Sequence, residues 1–248
     1  IKRGMTLAAP GAYRQSSSAI LSLRNVHGSI SIKRQQEMRF CYGTFSGIVS
    51  GLLIGSDRLA PGEEAFMRIK MPQPVVLAAG DRFILRSLSP SATVAGGVVL
   101  TVNSDIRNKK QPADIERLKA AREAAENNDP FLSELIAGSL CIISQRDLPY
   151  LIQAVGGRLK EETDEKASRG IIASFGSGYW LVKDRLHEIE KRLEGALIRY
   201  HKENRSSRGM PAAQLCALLG SSIASFEALK KIFSESDTIA AHNDYFSL

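Results

Sequence analysis

The chain has 248 residues, with 44% hydrophobic and 24% charged side chains, a net charge of +7 and a pI near 9.4. That length holds one large domain or two to three small ones, and the composition excludes a wholly disordered chain. No apolar run approaches the ~18–20 residues of a membrane-spanning helix, so a soluble protein is expected, and the basic excess favours anionic partners, nucleic acid first.

The charge is unevenly placed. Residues 1–106 carry 12 basic and 6 acidic side chains, residues 107–182 carry 11 of each, and residues 183–248 carry 10 and 9. The opening Ile1-Lys2-Arg3-Gly4-Met5 has no initiator Met and no apolar signal core, and reads as the cut end of a longer chain. Cys41, Cys141 and Cys216 are odd in number, far apart and set among apolar neighbours. That pattern suits reduced core thiols in a cytoplasmic protein rather than a disulfide framework.

Residues 1–104 read as β structure. Short alternating or apolar runs recur at 20–26, 28–33, 37–42, 46–54, 65–71, 82–86 and 97–102. Turn chemistry separates them at Asn25–Gly28, Ala60-Pro61-Gly62-Glu63 and Ala79-Gly80-Asp81. Many short strands punctuated this way predict a closed barrel or a sandwich, and a barrel removes exposed sheet edges.

Beyond residue 104 the period changes. Ile115, Leu118, Arg122 and Ala125 fall at helical spacing. Asp129 is placed as N-cap of the next helix with Pro130 in its first turn. Ser144-Gln145-Arg146-Asp147 resembles a capping box, opening a helix that runs toward Val155 and stops at Gly156-Gly157. Residues 171–175 and 179–182, joined by Gly176-Ser177-Gly178, predict a hairpin. A looser copy follows: a helix over 184–204 with Leu186, Ile189, Leu193, Leu197 and Tyr200 on one face, a loop over 205–210, helices over 211–219 and 225–233, and a hairpin over 238–248. Three helices closed by a hairpin, twice over ~65–75 residues each, is the winged-helix pattern.

Motifs for catalysis are absent from the sequence. It has no G-x-x-x-x-G-K-[ST] phosphate loop and no G-x-S-x-G. His27, His187, His201 and His242 show no ligand spacing, and the carboxylates of Glu161, Glu162, Asp164 and Glu165 lie between Lys160 and Lys166 on a polar stretch, as on a solvated face. The chain is therefore not expected to be an enzyme itself.

The run Leu59-Ala60-Pro61-Gly62-Glu63, Gly80-Asp81-Arg82-Phe83-Ile84-Leu85-Arg86, Ser89-Pro90, Thr93 and Gly96-Gly97-Val98-Val99-Leu100 resembles the third domain of the selenocysteine-specific elongation factor family, SelB. The Ser-Pro and the double Gly favour this family over the related barrel of EF-Tu. Further on, Tyr200-His201 leading to Gly209-Met210-Pro211 is similar to the SelB winged-helix region. The resemblance implies a multi-domain chain, β then α+β. It divides into an EF-Tu-like domain 3 β-barrel over 1–104, which includes the end of a preceding barrel, a first winged helix with a leading linker helix over 105–182, and a second winged helix over 183–248. It implies a monomeric piece of a cytoplasmic factor that delivers selenocysteinyl-tRNA to the ribosome at UGA codons beside an mRNA hairpin. GTP and Mg would belong to an upstream GTPase domain, and the hairpin to further winged helices downstream. The fragment itself would need no cofactor.

In the family, the third domain holds the T-arm side of the tRNA. Phosphate contacts need cations, hydroxyls and backbone N–H groups, so Arg68, Lys70, Arg82, Arg86, Ser89, Ser91 and Thr93 are the barrel candidates. Arg199, Lys202, Arg205, Arg208, Lys230 and Lys231 are weaker candidates, because their segment is close to neutral and suits a spacer better than a reader. Two other readings fit parts of the pattern: a winged-helix DNA-binding regulator, and a piece of another translational GTPase.

Overall fold

The computed structural model describes residues 4–102, 112–138, 142–175, 178–211, 213–215, 230, 239–242 and 245–247. The chain divides into two compact units, Ile1–Leu140 with Asp147–Thr163, and Cys141–Arg146 with Asp164–Leu248. No described helix is long and apolar enough to cross a membrane.

The first unit is built on a barrel. Six strands, β1 (Gln15–Asn25), β3 (Gln35–Tyr42), β4 (Phe45–Ile54), β6 (Glu64–Val76), β7 (Arg82–Arg86) and β8 (Thr93–Thr101), close in the order β1-β6-β4-β3-β7-β8. Neighbours in this ring run antiparallel. Strand alternation decides what fills it. Leu21 and Leu23, Met38 and Phe40, Met67 and Ile69, and Phe83 and Leu85 point inward into one core. Closure between β1 and β8 requires Gly97, where an added Cβ would lie 1.9 Å from the Ser22 carbonyl oxygen.

Residues 28–33 were expected to form a full strand but supply only β2 (Ile32–Lys33), which pairs with β5 (Arg58–Leu59) outside the barrel. Buried Asn25 takes over the intervening backbone. Its Nδ2 donates to the Ile30 and Leu59 carbonyls at 2.8 and 3.2 Å, and its Oδ1 accepts from the His27 N–H at 3.0 Å. His27 Nδ1 then accepts from the Ser29 and Ile30 N–H groups. Side-chain capture of this kind competes with ladder formation.

Helices α1 (Pro112–Glu126) and α2 (Pro130–Gly138) cover the outside of β1, β6 and β8. Outward Ile20, Phe66, Val98 and Leu100 form a second apolar cluster with Leu118, Ala121 and Ala137. Asp129 caps α2 as expected, accepting from the Leu132 N–H at 3.0 Å. The next cap differs. Ser144 ends a strand, and α3 (Leu148–Ile152) begins after Asp147, whose carboxylate makes no cap bond. Arg14 takes that carboxylate at 3.0 Å instead. The helix ends with Gln153 left-handed at φ 60, while Gly156-Gly157, the expected stop, opens α4 (Gly156–Ser168).

The second unit repeats a small sheet. Strands β9 (Ile142–Ser144), β10 (Ile172–Phe175) and β11 (Tyr179–Val182) order as β10-β11-β9. After α5 (Lys183–Glu203), strands β12 (Met210–Pro211), β13 (Ala240–Ala241) and β14 (Tyr245–Ser247) order as β12-β14-β13. In both, a short early strand pairs with the second strand of a later hairpin. From the sequence, Met210 is expected in a loop and Pro211 in a helix. Both form strand here because Gly209 lets the backbone approach β14, where an added Cβ would lie 2.4 Å from the Phe246 carbonyl oxygen. Of the two helices expected after it, only 213–215 and 230 are among the described residues, and they are helical.

Candidate nucleic-acid interface

The Arg82–Thr93 segment forms the β7–β8 hairpin. On β7, Phe83 and Leu85 are buried while Arg82, Ile84 and Arg86 face outward, as alternation demands. Arg86 stands opposite Thr93 in the register. The connecting loop is fixed from within by buried Ser87, whose N–H donates to the Ala92 carbonyl at 2.9 Å. The Ser87 hydroxyl accepts from the Ala92 N–H at 3.1 Å and donates to the Pro90 carbonyl. This inner bracket leaves Ser89, Ser91 and Thr93 exposed beside Arg86. One end of the hairpin thus presents a guanidinium and three hydroxyls from a rigid loop.

Arg82 and Arg86 do not pair with Asp81. The Asp81 carboxylate accepts from the Ala78 N–H at 2.8 Å and from the Tyr42 hydroxyl. Burial raises the Asp81 pKa against the opposing pull of those two bonds. Burial, with Asp81 adding to it, pushes the Tyr42 phenol up to about 12. Asp81 is thus committed to holding the turn, and no described residue forms an ion pair with Arg82 or Arg86.

Arg68 and Lys70 do point outward from β6, with Met67, Ile69 and Met71 inside, but on another part of the barrel. Three steps around the six-strand ring separate β6 from β7 in either direction. Arg68 is half-buried and stands opposite Ile20, a residue that packs against α1 and α2. The seven barrel candidates therefore fall into two sets on opposite sides, and five of them share the β7–β8 side.

A residue outside the predicted set joins that side. Arg39 on β3 is exposed and lies directly opposite Arg86. Its signal was the alternation of Glu37-Met38-Arg39-Phe40, which sends Arg39 out wherever Met38 and Phe40 go in.

In the second unit, Arg199 and Lys202 are exposed on the last turns of α5, and Arg205 and Arg208 in the loop that follows. Ser207 organises that loop, with its hydroxyl 3.2 Å from the Tyr200 hydroxyl and donating to the Gly209 carbonyl at 2.9 Å. Lys230 is half-buried, and Lys231 lies outside the described residues. Among the described residues no group of three or more His, Cys, Asp or Glu side chains is placed to hold a metal ion.

Residues 51–105 match the family described as selenocysteine-specific elongation factor, beta-barrel domain. The stretch covers the end of β4 and all of β5 to β8, and so contains the whole β7–β8 hairpin. The chain is also 32% identical over 238 residues to a selenocysteine-specific elongation factor of Desulfomicrobium baculatum, which covers 89% of this chain. It spans about a third of that relative's length, 35%. Both comparisons thus agree in family with the resemblance read from the sequence: the chain is similar to selenocysteine-specific elongation factors through its barrel and along most of its length.

Proposed function

We propose that this chain is part of a selenocysteine-specific elongation factor, in which the β7–β8 side of the barrel contacts the backbone of selenocysteinyl-tRNA. The carrying observation is the exposed group of Arg82, Arg86, Ser89, Ser91 and Thr93 on a hairpin braced from inside by Ser87. Cations and hydroxyls on a fixed loop suit phosphate oxygens, which position an RNA without reading its bases. The similarity of residues 51–105 to the family's barrel supports the same assignment. Arg68 and Lys70 are left out of this contact because one RNA helix lying on β7 does not reach β6 across a closed barrel.

The two small sheets of the second unit, each a short strand added to a hairpin, support reading residues 105–182, with a leading linker helix, and 183–248 as two winged helices. Their near-neutral charge favours a spacer role, with Arg199, Lys202, Arg205, Arg208, Lys230 and Lys231 making at most peripheral RNA contacts. In the full-length factor, the ribosome and an mRNA hairpin would be the other partners. GTP and its Mg ion would be held by residues outside this sequence, and hydrolysis would occur there.

Titration of the chain with selenocysteine tRNA, an elongator tRNA and a DNA duplex across a salt series tests the proposal. Salt-sensitive binding with preference for selenocysteine tRNA is expected. Equal affinity for the DNA duplex, with no tRNA preference, would overturn it in favour of a DNA-binding regulator.

A further inference from the structure

We infer that Arg39 is a phosphate-binding residue of the same face, completing a row with Arg86 and Thr93 that runs across three adjacent strands. The inference rests on the RNA reading above and adds a residue outside the candidates named from the sequence.

The register places the row. Arg39 of β3 is opposite Arg86 of β7, and Arg86 is opposite Thr93 of β8. All three are exposed. Adjacent strands lie ~4.8 Å apart, so the row spans ~10 Å and meets more than one phosphate of an RNA backbone. On its other side Arg39 is opposite Ile48, which is 45% exposed and offers no carboxylate. Among the described residues neither arginine has an ion-pair partner.

Two like charges directly opposite each other on neighbouring strands are unfavourable in the free protein. A bound polyanion removes that repulsion and gains both charges. The chemistry of the face also separates kinds of RNA contact. Phe40 and Phe83, the aromatic rings of β3 and β7 nearest the row, are buried in the core, at 0% and 4% exposure. Stacking platforms for unpaired bases are aromatic and exposed, so the row suits the sugar-phosphate backbone of a duplex.

The test uses the whole chain and fluorescence anisotropy with selenocysteine tRNA at several salt concentrations, together with thermal unfolding. Arg39→Gln is expected to weaken binding about 3- to 10-fold and to lower the salt slope by about one. Arg39→Lys should keep most of the affinity, and Lys70→Gln should match the parent. The thermal midpoint of Arg39→Gln should stay level or rise at low salt, because repulsion from Arg86 is relieved. If Arg39→Gln binds like the parent while Arg86→Gln does not, this inference fails and the RNA reading stands. If Arg39→Gln loses affinity only together with a lowered midpoint, the residue is structural and the inference fails. If the parent shows no salt-sensitive binding, the RNA reading itself fails.

Discussion

Glu134 of α2 reaches back to the barrel and accepts a hydrogen bond from the Thr101 hydroxyl of β8 at 2.7 Å. Its second oxygen accepts from the Val102 N–H at 3.1 Å. The carboxylate is buried, 3% exposed, where an unmatched charge would be costly. Beside it, buried Ser133 donates to the Leu100 carbonyl at 3.2 Å. These contacts fix the last strand of the barrel to the first helices after it.

Glu134→Gln keeps the shape and removes the charge, turning one acceptor into a donor that faces a hydroxyl or an N–H. A loss of about 1–3 kcal/mol is expected, read as a lower denaturant midpoint with an unchanged slope. An unaffected midpoint would mean that helix docking on β8 depends on the apolar cluster alone.

The double glycine is not symmetric. Gly97→Ala would force a Cβ against the Ser22 carbonyl oxygen at 1.9 Å, whereas at Gly96 the nearest contact, the Phe83 carbonyl oxygen, is 3.4 Å away. Gly97→Ala should cost at least about 1–3 kcal/mol, as overpacking does, and Gly96→Ala distinctly less. Comparable thermal midpoints for the two variants would contradict the tight β1–β8 closure.

The Tyr42 phenol, raised to about 12, gives a pH signature. A raised pKa means the folded state keeps the proton longer than the unfolded chain, whose tyrosines titrate near 10. The stabilisation is therefore complete below about pH 10 and is lost as pH rises from there to about 12. Absorbance titration should show a late-ionising tyrosine that Tyr42→Phe removes. Tyr42→Phe should also flatten the fall of stability over that window. Ionisation of every folded tyrosine near 10 would refute the half-buried Tyr42–Asp81 contact.

Much of the barrel was legible because alternation and turn residues are local signals. Phe83 and Leu85 inside, with Arg82 and Arg86 outside, follow from period two alone. The Asp129 cap was equally local. What escaped depended on partners far along the chain. Asp147 looked like part of a capping box, but its carboxylate is claimed by Arg14. Residues 28–31 carry a strand-like pattern, but Asn25 and His27 hold the backbone of Ser29 and Ile30. Gly156-Gly157 looked like a helix stop, but Gln153 takes the left-handed turn three residues earlier. The candidate site shows the same division. Arg82, Arg86, Ser89, Ser91 and Thr93 were readable as a cluster because one hairpin carries them. The separation of Arg68 and Lys70 from that cluster, and the approach of Arg39 to it, are properties of barrel order and register.

Hydrogen–deuterium exchange of the whole chain with and without selenocysteine tRNA tests the central claim most directly, because it reports which face the RNA covers. Protection on RNA addition is expected over residues 86–93 and in β3 around Arg39, with none at residues 68–72 of β6. Protection confined to β6, or to the α5 end and the loop over 199–208, would contradict the assignment of the β7–β8 side as the RNA-binding face.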